Sequence, residues 1–110
     1  MQWKKHKYGA KPTVVNGIRF ASKKEARRYH ELLLMDCAGE IDDLVLQPRF
    51  PLEVLGVKIC TYVGDFSYIN PKSPELIIVE DSKGVQTDVF KLKKKLFDVL
   101  YKKTHRLIVT

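Results

Sequence analysis

The chain has 110 residues, with 20 Lys and Arg against 13 Asp and Glu, a formal net charge of +7 and a pI near 9.5. That length suits one domain spanning residues 1–110 around one core, and a hydrophobic fraction of 45% is enough to fill it. No run of about eighteen apolar residues and no signal-peptide pattern is present, so a membrane-spanning or exported protein is not expected and a cytoplasmic one is. Cys37 and Cys60 lack CxxC spacing, which argues against a zinc centre or a disulfide framework and predicts buried free thiols. The positive balance suits a polyanion, with nucleic acid ranked ahead of an anionic membrane because no amphipathic terminal helix has a bulky lipid-facing side.

Residues 1–8 are basic and aromatic, with Trp3, Lys4, Lys5, His6, Lys7 and Tyr8. They read either as a flexible solvated tail or as an arm whose Lys4, Lys5 and Lys7 meet phosphates and whose rings stack on bases. Residues 13–20 carry a hairpin signal. Asn16-Gly17 accepts positive φ at both central positions of a tight turn, and β-branched or aromatic residues flank it.

Ser22-Lys23-Lys24-Glu25 opens a helix as a capping box, Ala26, Tyr29, Leu32, Leu33 and Cys37 recur at helical spacing, and Gly39 supplies the stop. Glu25 has two readings: a reciprocal cap, or a carboxylate bordering the core-facing side. Glu31 is expected to be exposed. Residues 41–50 read as the first core strand, with Asp42 and Asp43 solvated at its start and Gln47 as a polar residue in need of a partner. Pro48 and Pro51 favour an edge or a bend. Leu52–Val54 and Val57–Cys60 surround a second turn at Leu55-Gly56.

Residues 62–69 form an aromatic and β-branched strand, residues 70–75 a cluster of turn formers, and Leu76–Val79 a short buried strand. That strand runs straight into Glu80-Asp81-Ser82-Lys83-Gly84. A hairpin centred near Ser73 sets Asp65 opposite Asp81, and side-chain alternation puts Asp81 and Lys83 on one face and Glu80 on the other. Two facing carboxylates repel, and a cation between them removes the conflict. Hard divalent ions take oxygen ligands and keep several waters, so one or two carboxylates suffice. A helix over residues 88–102 follows, with Val89, Leu92, Leu96, Val99 and Leu100 as its expected buried stripe. Its lysines form a solvated face, or a face on which Lys91, Lys94 and Lys95 meet DNA phosphates. Residues 104–109 close the chain as a strand, with His105 in a structural role.

Asp65 together with Asp81-Ser82-Lys83 resembles the PD-(D/E)xK nuclease superfamily, although residue 64 is Gly where that name has Pro. Over Lys7 to Tyr101 the chain is similar to a small phage-associated branch, through KYGAK, NGIRF, SKKEARRY, LQPRFPL, a strand with Asp, and VED-x-KG. The resemblance implies an α/β protein with a restriction-endonuclease-like αβββαβ core over residues 22–110, a mixed central sheet flanked by helices, and a preceding N-terminal β-hairpin. It implies a DNA endonuclease using Mg²⁺ or Mn²⁺, leaving 5′-phosphate and 3′-hydroxyl ends, in a phage or prophage protein acting in the host cytoplasm. Asp65 and Asp81 would hold the metal, with Glu25 and the Ser82 carbonyl completing the set and Gln47 in support. An ammonium beside carboxylates stays charged, so Lys83 is expected to position and stabilise charge rather than act as a base. The small size favours branched or junction DNA over a long sequence, and a homodimer would place two sites on two strands. The competing readings are a nonenzymatic DNA-binding protein on a degenerate nuclease fold, which needs no metal, and a scaffold for phage replication or packaging proteins.

Overall fold

The computed structural model describes residues 12–110, so Lys4, Lys5 and Lys7 lie outside the described residues. The elements run β1 (Thr13–Val15), β2 (Ile18–Phe20), α1 (Lys23–Cys37), β3 (Asp42–Leu46), β4 (Arg49–Val54), β5 (Val57–Val63), β6 (Phe66–Asn70), β7 (Ser73–Asp81), α2 (Asp88–Leu100) and β8 (His105–Val109). The fold is mixed α/β, mostly sheet with two helices. A four-stranded sheet has the order β3-β6-β7-β8. The β3–β6 and β6–β7 pairs are antiparallel, and β8 is parallel to β7, as a helical crossover through α2 requires. The hairpins β1–β2 and β4–β5 form two separate ribbons.

The β1–β2 turn forms as its sequence predicts, with Asn16 and Gly17 at φ 52° and 76°. Ser22 caps α1 by accepting the Glu25 N–H at 3.2 Å, and Gly39 at φ 76° follows its end. Ala26, Tyr29 and Leu32 of α1 pack with Phe20, Ile41, Phe66 and Tyr68 against one face of the sheet. On the other face Val79 meets Phe50, Leu52, Tyr62, Phe90 and Phe97 from the β4–β5 ribbon and α2. Two apolar layers thus sandwich β7, and its odd and even residues serve different ones.

The sequence predicts one strand over residues 41–50 and another over 62–69, but each is broken. Gln47 takes φ 50°, which a continuing strand does not permit, and buried Pro48 turns the chain into β4. The second break falls at Gly64-Asp65, between β5 and β6. The breaks are tied together: Gln47 N–H donates to the Asp65 carbonyl at 2.9 Å, and Gly64 N–H donates to the Pro48 carbonyl at 3.0 Å. The β4–β5 hairpin is therefore an excursion from the sheet, turned at Leu55-Gly56 as predicted, with both its hinges at one corner. Gly64 suits that corner for a second reason. A Cβ there would lie 2.8 Å from Cγ1 of the fully buried Val79. Gly64→Ala is expected to lower stability by about 1–3 kcal/mol through overpacking, measured by denaturant titration; an unchanged midpoint would show that Val79 can yield. Proline at this position would also delete the bond to Pro48.

Four further expectations are corrected. The turn after β6 shrinks to Pro71-Lys72, because Asn70 Oδ1 accepts the Lys72 N–H at 2.9 Å and β7 starts at Ser73. At its other end β7 continues through Asp81, held by the pairing of Asp81 with Val109 of β8. The stripe on α2 is also rotated. Phe90 and Phe97 are buried, whereas Val89, Leu92 and Val99 are 63%, 61% and 75% exposed and Leu100 is exposed as well. The aromatic rings of the β4–β5 ribbon give Phe90 and Phe97 larger apolar partners than the aliphatic stripe would find. Cys37, expected to be buried, is exposed at the end of α1, and Cys60 is half-buried; both are free thiols. His105 lies among Phe50, Phe97 and Tyr101, in the structural place foreseen for it, and burial lowers its pKa. No helix among the described residues is long and apolar enough to cross a membrane.

Candidate active site

The β6–β7 register pairs Phe66 with Glu80, Ser67 with Val79, Tyr68 with Ile78 and Ile69 with Ile77. Extended by one step it sets Asp65 across from Asp81, as the sequence predicts. Asp65 sits at the corner rather than inside a strand. Its N–H donates to the Glu80 carbonyl at 2.9 Å, and its Oδ2 accepts the Ser82 N–H at 2.6 Å. The capping box at Glu25 is half formed, since among the described residues no bond joins the Ser22 N–H to the Glu25 carboxylate. The Glu25 N–H serves the cap on Ser22, while its carboxylate lies within hydrogen-bonding reach of Asp65.

Asp81 is only 1% exposed. The buried Tyr62 hydroxyl donates to its Oδ2. Its Oδ1 is buried and has no hydrogen-bond partner among the described residues. Lys83 Nζ stands 3.4 Å from that oxygen and 4.9 Å from the centre of the Phe90 ring, so the ammonium is steered by a charge and a ring face. Glu80 points the other way, as alternation requires, into α1. A cleft of about 480 Å³ opens over the corner, lined by Lys24, Glu25, Asp65, Ser82, Lys83 and Thr87 among others.

Burial pushes the Asp65 carboxyl up to about 7, and the nearby Glu25 carboxylate adds to the effect, against the opposing Ser82 N–H and Lys83. Burial also raises Asp81, to about 6; Tyr62 pulls it back, Asp65 pushes it up and Lys83 pulls it down. Burial and Asp81 hold the Tyr62 phenol protonated, which keeps it a donor. Glu80 contrasts with these two acids. Burial alone would raise it, but hydrogen bonds from Arg28 and Tyr68 outweigh that and hold it below the usual range.

These shifts have a sign. Between the ordinary carboxylate pKa near 4 and the raised values, the folded chain holds more protons than the unfolded chain, so stability falls as pH rises through that window. The metal-free protein is expected to lose several degrees of melting temperature between about pH 5 and pH 7.5, with millimolar Mg²⁺ or Mn²⁺ restoring it at the upper end only. A melting temperature that climbs across this window without metal would contradict the placement of Asp65 and Asp81.

The residues fit a hard divalent cation on two observations: a buried carboxylate oxygen with no hydrogen bond among the described residues and only the Lys83 ammonium beside it, and carboxylates so placed that Glu25 raises Asp65 and Asp65 raises Asp81. Among the described residues no three acidic, imidazole or thiol groups form a ready-made cage. Mg²⁺ does not demand one, since waters and substrate oxygens complete its shell.

The other predicted site residues scatter. The side chain of Gln47 is exposed, and its support for Asp65 runs through its backbone N–H. On α2, Lys94 pairs with Asp98 at 2.7 Å, and Lys91 and Lys95 are exposed. Ser82 contributes its N–H to Asp65 and lines the cleft. Sequence reasoning missed Tyr62, which looked like core because an aromatic in a strand usually is. It also missed Arg28, which grips Glu80 through Nε at 2.8 Å and an Nη at 2.7 Å, with Tyr68 on the same carboxylate. A signal for Arg28 existed, because it follows Glu25 by three and so shares its helix face.

Fold and corner together define a small mixed α/β protein with a carboxylate–lysine cleft at the end of its central strand. The chain belongs to the family described as Protein of unknown function (DUF1064), which matches residues 5–110. No curated protein and no solved structure matches the chain.

Proposed function

We propose that this protein is a metal-dependent DNA endonuclease on a restriction-endonuclease-like fold, from the phage-associated branch its sequence resembles, and that it cuts branched or junction DNA. The observation that carries the reading is the Asp81 Oδ1 atom, buried without a hydrogen bond, beside Asp65 and 3.4 Å from Lys83 Nζ. A buried structural carboxylate ordinarily has hydrogen bonds on both oxygens, whereas this oxygen has only the Lys83 ion pair. The chain order supports the same reading: α1, then β3, β6 and β7 antiparallel, then α2 and parallel β8, with β4–β5 inserted at one corner.

Bound Mg²⁺ or Mn²⁺ would supply Lewis acidity toward a phosphate oxygen and favour hydroxide over water at neutral pH. The chain does the rest. Tyr62 fixes Asp81 through Oδ2 and leaves Oδ1 to the ion. The Ser82 N–H fixes Asp65 through its Oδ2, and Glu25 faces Asp65 from α1. Lys83, with its ammonium near the Phe90 ring, meets charge that develops on the phosphate.

A second reading has one observation in its favour. Asp81 is almost wholly enclosed, which suits a nonenzymatic DNA-binding protein whose acids only shape a corner. Cleavage of labelled four-way junction, flap, single-stranded and linear duplex DNA with Mg²⁺, Mn²⁺ or EDTA separates the two. Metal-dependent cutting with a preference for the junction is expected. Tight binding with no cutting under either metal would transfer the assignment to the second reading.

A further inference from the structure

The cleft over Asp65 and Lys83 does not end at the corner. It meets a second cleft at Lys24 and Ser82, lined also by Arg27, Arg28, Tyr68 and Ile108. That cleft in turn meets a third at Tyr68 and Ile108, with Arg106 and Lys72 toward its far end. The three form one groove between α1 and the open edge of the sheet at β8. From Arg106 to Thr110 it follows about 13 Å of extended chain.

Its charge is arranged for a polyanion. Lys24 and Arg27 are exposed on α1 and have no carboxylate within ion-pairing distance among the described residues. Glu31 and Glu80, the acids along this stretch, are both bound by Arg28. Glu40 lines the far end together with Arg106 and Lys72. Two aromatic residues line the groove among the described residues, and both are buried: Tyr68 is turned to Glu80 and Phe90 lies under Lys83 Nζ, so the groove offers cations but no open ring face on which a base could stack. The α2 lysines are less well placed. Lys93 donates to the Thr61 carbonyl and Lys94 is paired, and none of the α2 lysines lines the site cleft.

We propose that the groove between α1 and β8 carries the sugar–phosphate backbone of the nucleic-acid strand on one side of the cleavage point, held by Lys24 and Arg27 near the site and by Arg106 farther on, with no reading of base sequence. The proposal rests on the nuclease reading for why a strand would lead out of the cleft, but its test does not.

Binding of labelled single strands and duplexes is measured by fluorescence anisotropy in EDTA, so that no cutting is involved. Lys24→Glu/Arg27→Glu is compared with Lys58→Glu/Lys103→Glu, which changes the charge equally on surfaces away from the groove. The α1 pair is expected to weaken binding at least tenfold more than the control pair, and to lower the slope of log K against log salt by about 1.4, the share of two lost phosphate contacts on a single strand. Arg27→Gln alone, a mild surface change, should lose severalfold affinity with the melting temperature unchanged. Equal losses in the two double variants, no binding by the wild type, or equal competition by poly-glutamate of matched charge would each overturn the groove assignment; the last would make it a site for an acidic peptide. A protein that never cuts under any metal, yet loses binding through the α1 pair, keeps the groove and loses the nuclease.

Discussion

Asp81→Asn is expected to abolish metal-dependent cleavage, by about 10³-fold or more, while leaving the metal-free protein folded and at least as stable as the wild type. The two halves follow from one fact. Asp81 is held in a site with almost no water, which raises its carboxyl to about 6. At neutral pH the folded chain must therefore keep a charge where burial disfavours it, and an amide of the same shape removes that cost. The Tyr62 hydroxyl still finds a carbonyl oxygen to donate to. What disappears is the charged Oδ1, which gives a cation a reason to enter and Lys83 its closest carboxylate. The measurements are cleavage rate and melting temperature with and without Mn²⁺. A gain or no change in metal-free stability, with the Mn²⁺-induced rise lost, fits a ligand held at a cost to the fold. A fall of more than about 2 kcal/mol with the Mn²⁺ response intact would make Asp81 a structural acid and remove the main support for the nuclease reading.

How much of this was legible follows from the range of each signal. The Asn16-Gly17 hairpin and the Ser22 cap are local, fixed by backbone conformations few residues accept, and both are found where the sequence places them. The opposition of Asp65 and Asp81 was read from a hairpin centred near Ser73; the observed turn is tighter, pairing Asn70 with Ser73, and a register shift between Ile69 and Asn70 brings the strands back to the expected pairing. The breaks at Gln47 and Gly64 were not legible, because each is stabilised by the other, and bonds between residues eighteen apart (Gln47 to Asp65) and sixteen apart (Gly64 to Pro48) leave no local trace. The α2 face was misjudged because two stripes compete on one helix. Val89, Leu92, Leu96 and Val99 form the more continuous apolar row, while the row through Phe90 and Phe97 is interrupted by Lys93 and Lys94. Periodicity favours the first; the aromatic pocket of an inserted hairpin selects the second. Glu80 illustrates the same limit at the site. Alternation already put it on the face opposite Asp81, but its partners Arg28 and Tyr68 lie 52 and 12 residues away and left no local sign.

Glu80 carries the second large effect. Arg28→Met is expected to cost about 2–4 kcal/mol, somewhat below the usual loss for breaking a buried pair because Arg28 keeps about a third of its side chain in water. The loss comes from what remains: a carboxylate 8% exposed, with the Tyr68 hydroxyl as its main partner. The pH dependence identifies the cause. In the wild type the Glu80 carboxyl sits below its ordinary range, so its stabilisation is present above the unfolded pKa and is lost as pH falls through the folded value. In Arg28→Met the same carboxyl is buried unpaired, its pKa moves above the unfolded value, and the deficit should shrink on acidification to about pH 5. Glu80→Gln in the Arg28→Met background should recover part of the loss, because the amide needs no counter-charge; costs that simply add in the double variant would sink this account. The same grip has a consequence for the site. Arg28 fastens α1 to β7 one turn after Glu25, so loosening it frees the turn that holds the Glu25 carboxylate against Asp65. Arg28→Met should therefore also blunt the Mn²⁺-induced rise in melting temperature, although Arg28 touches none of the proposed metal ligands.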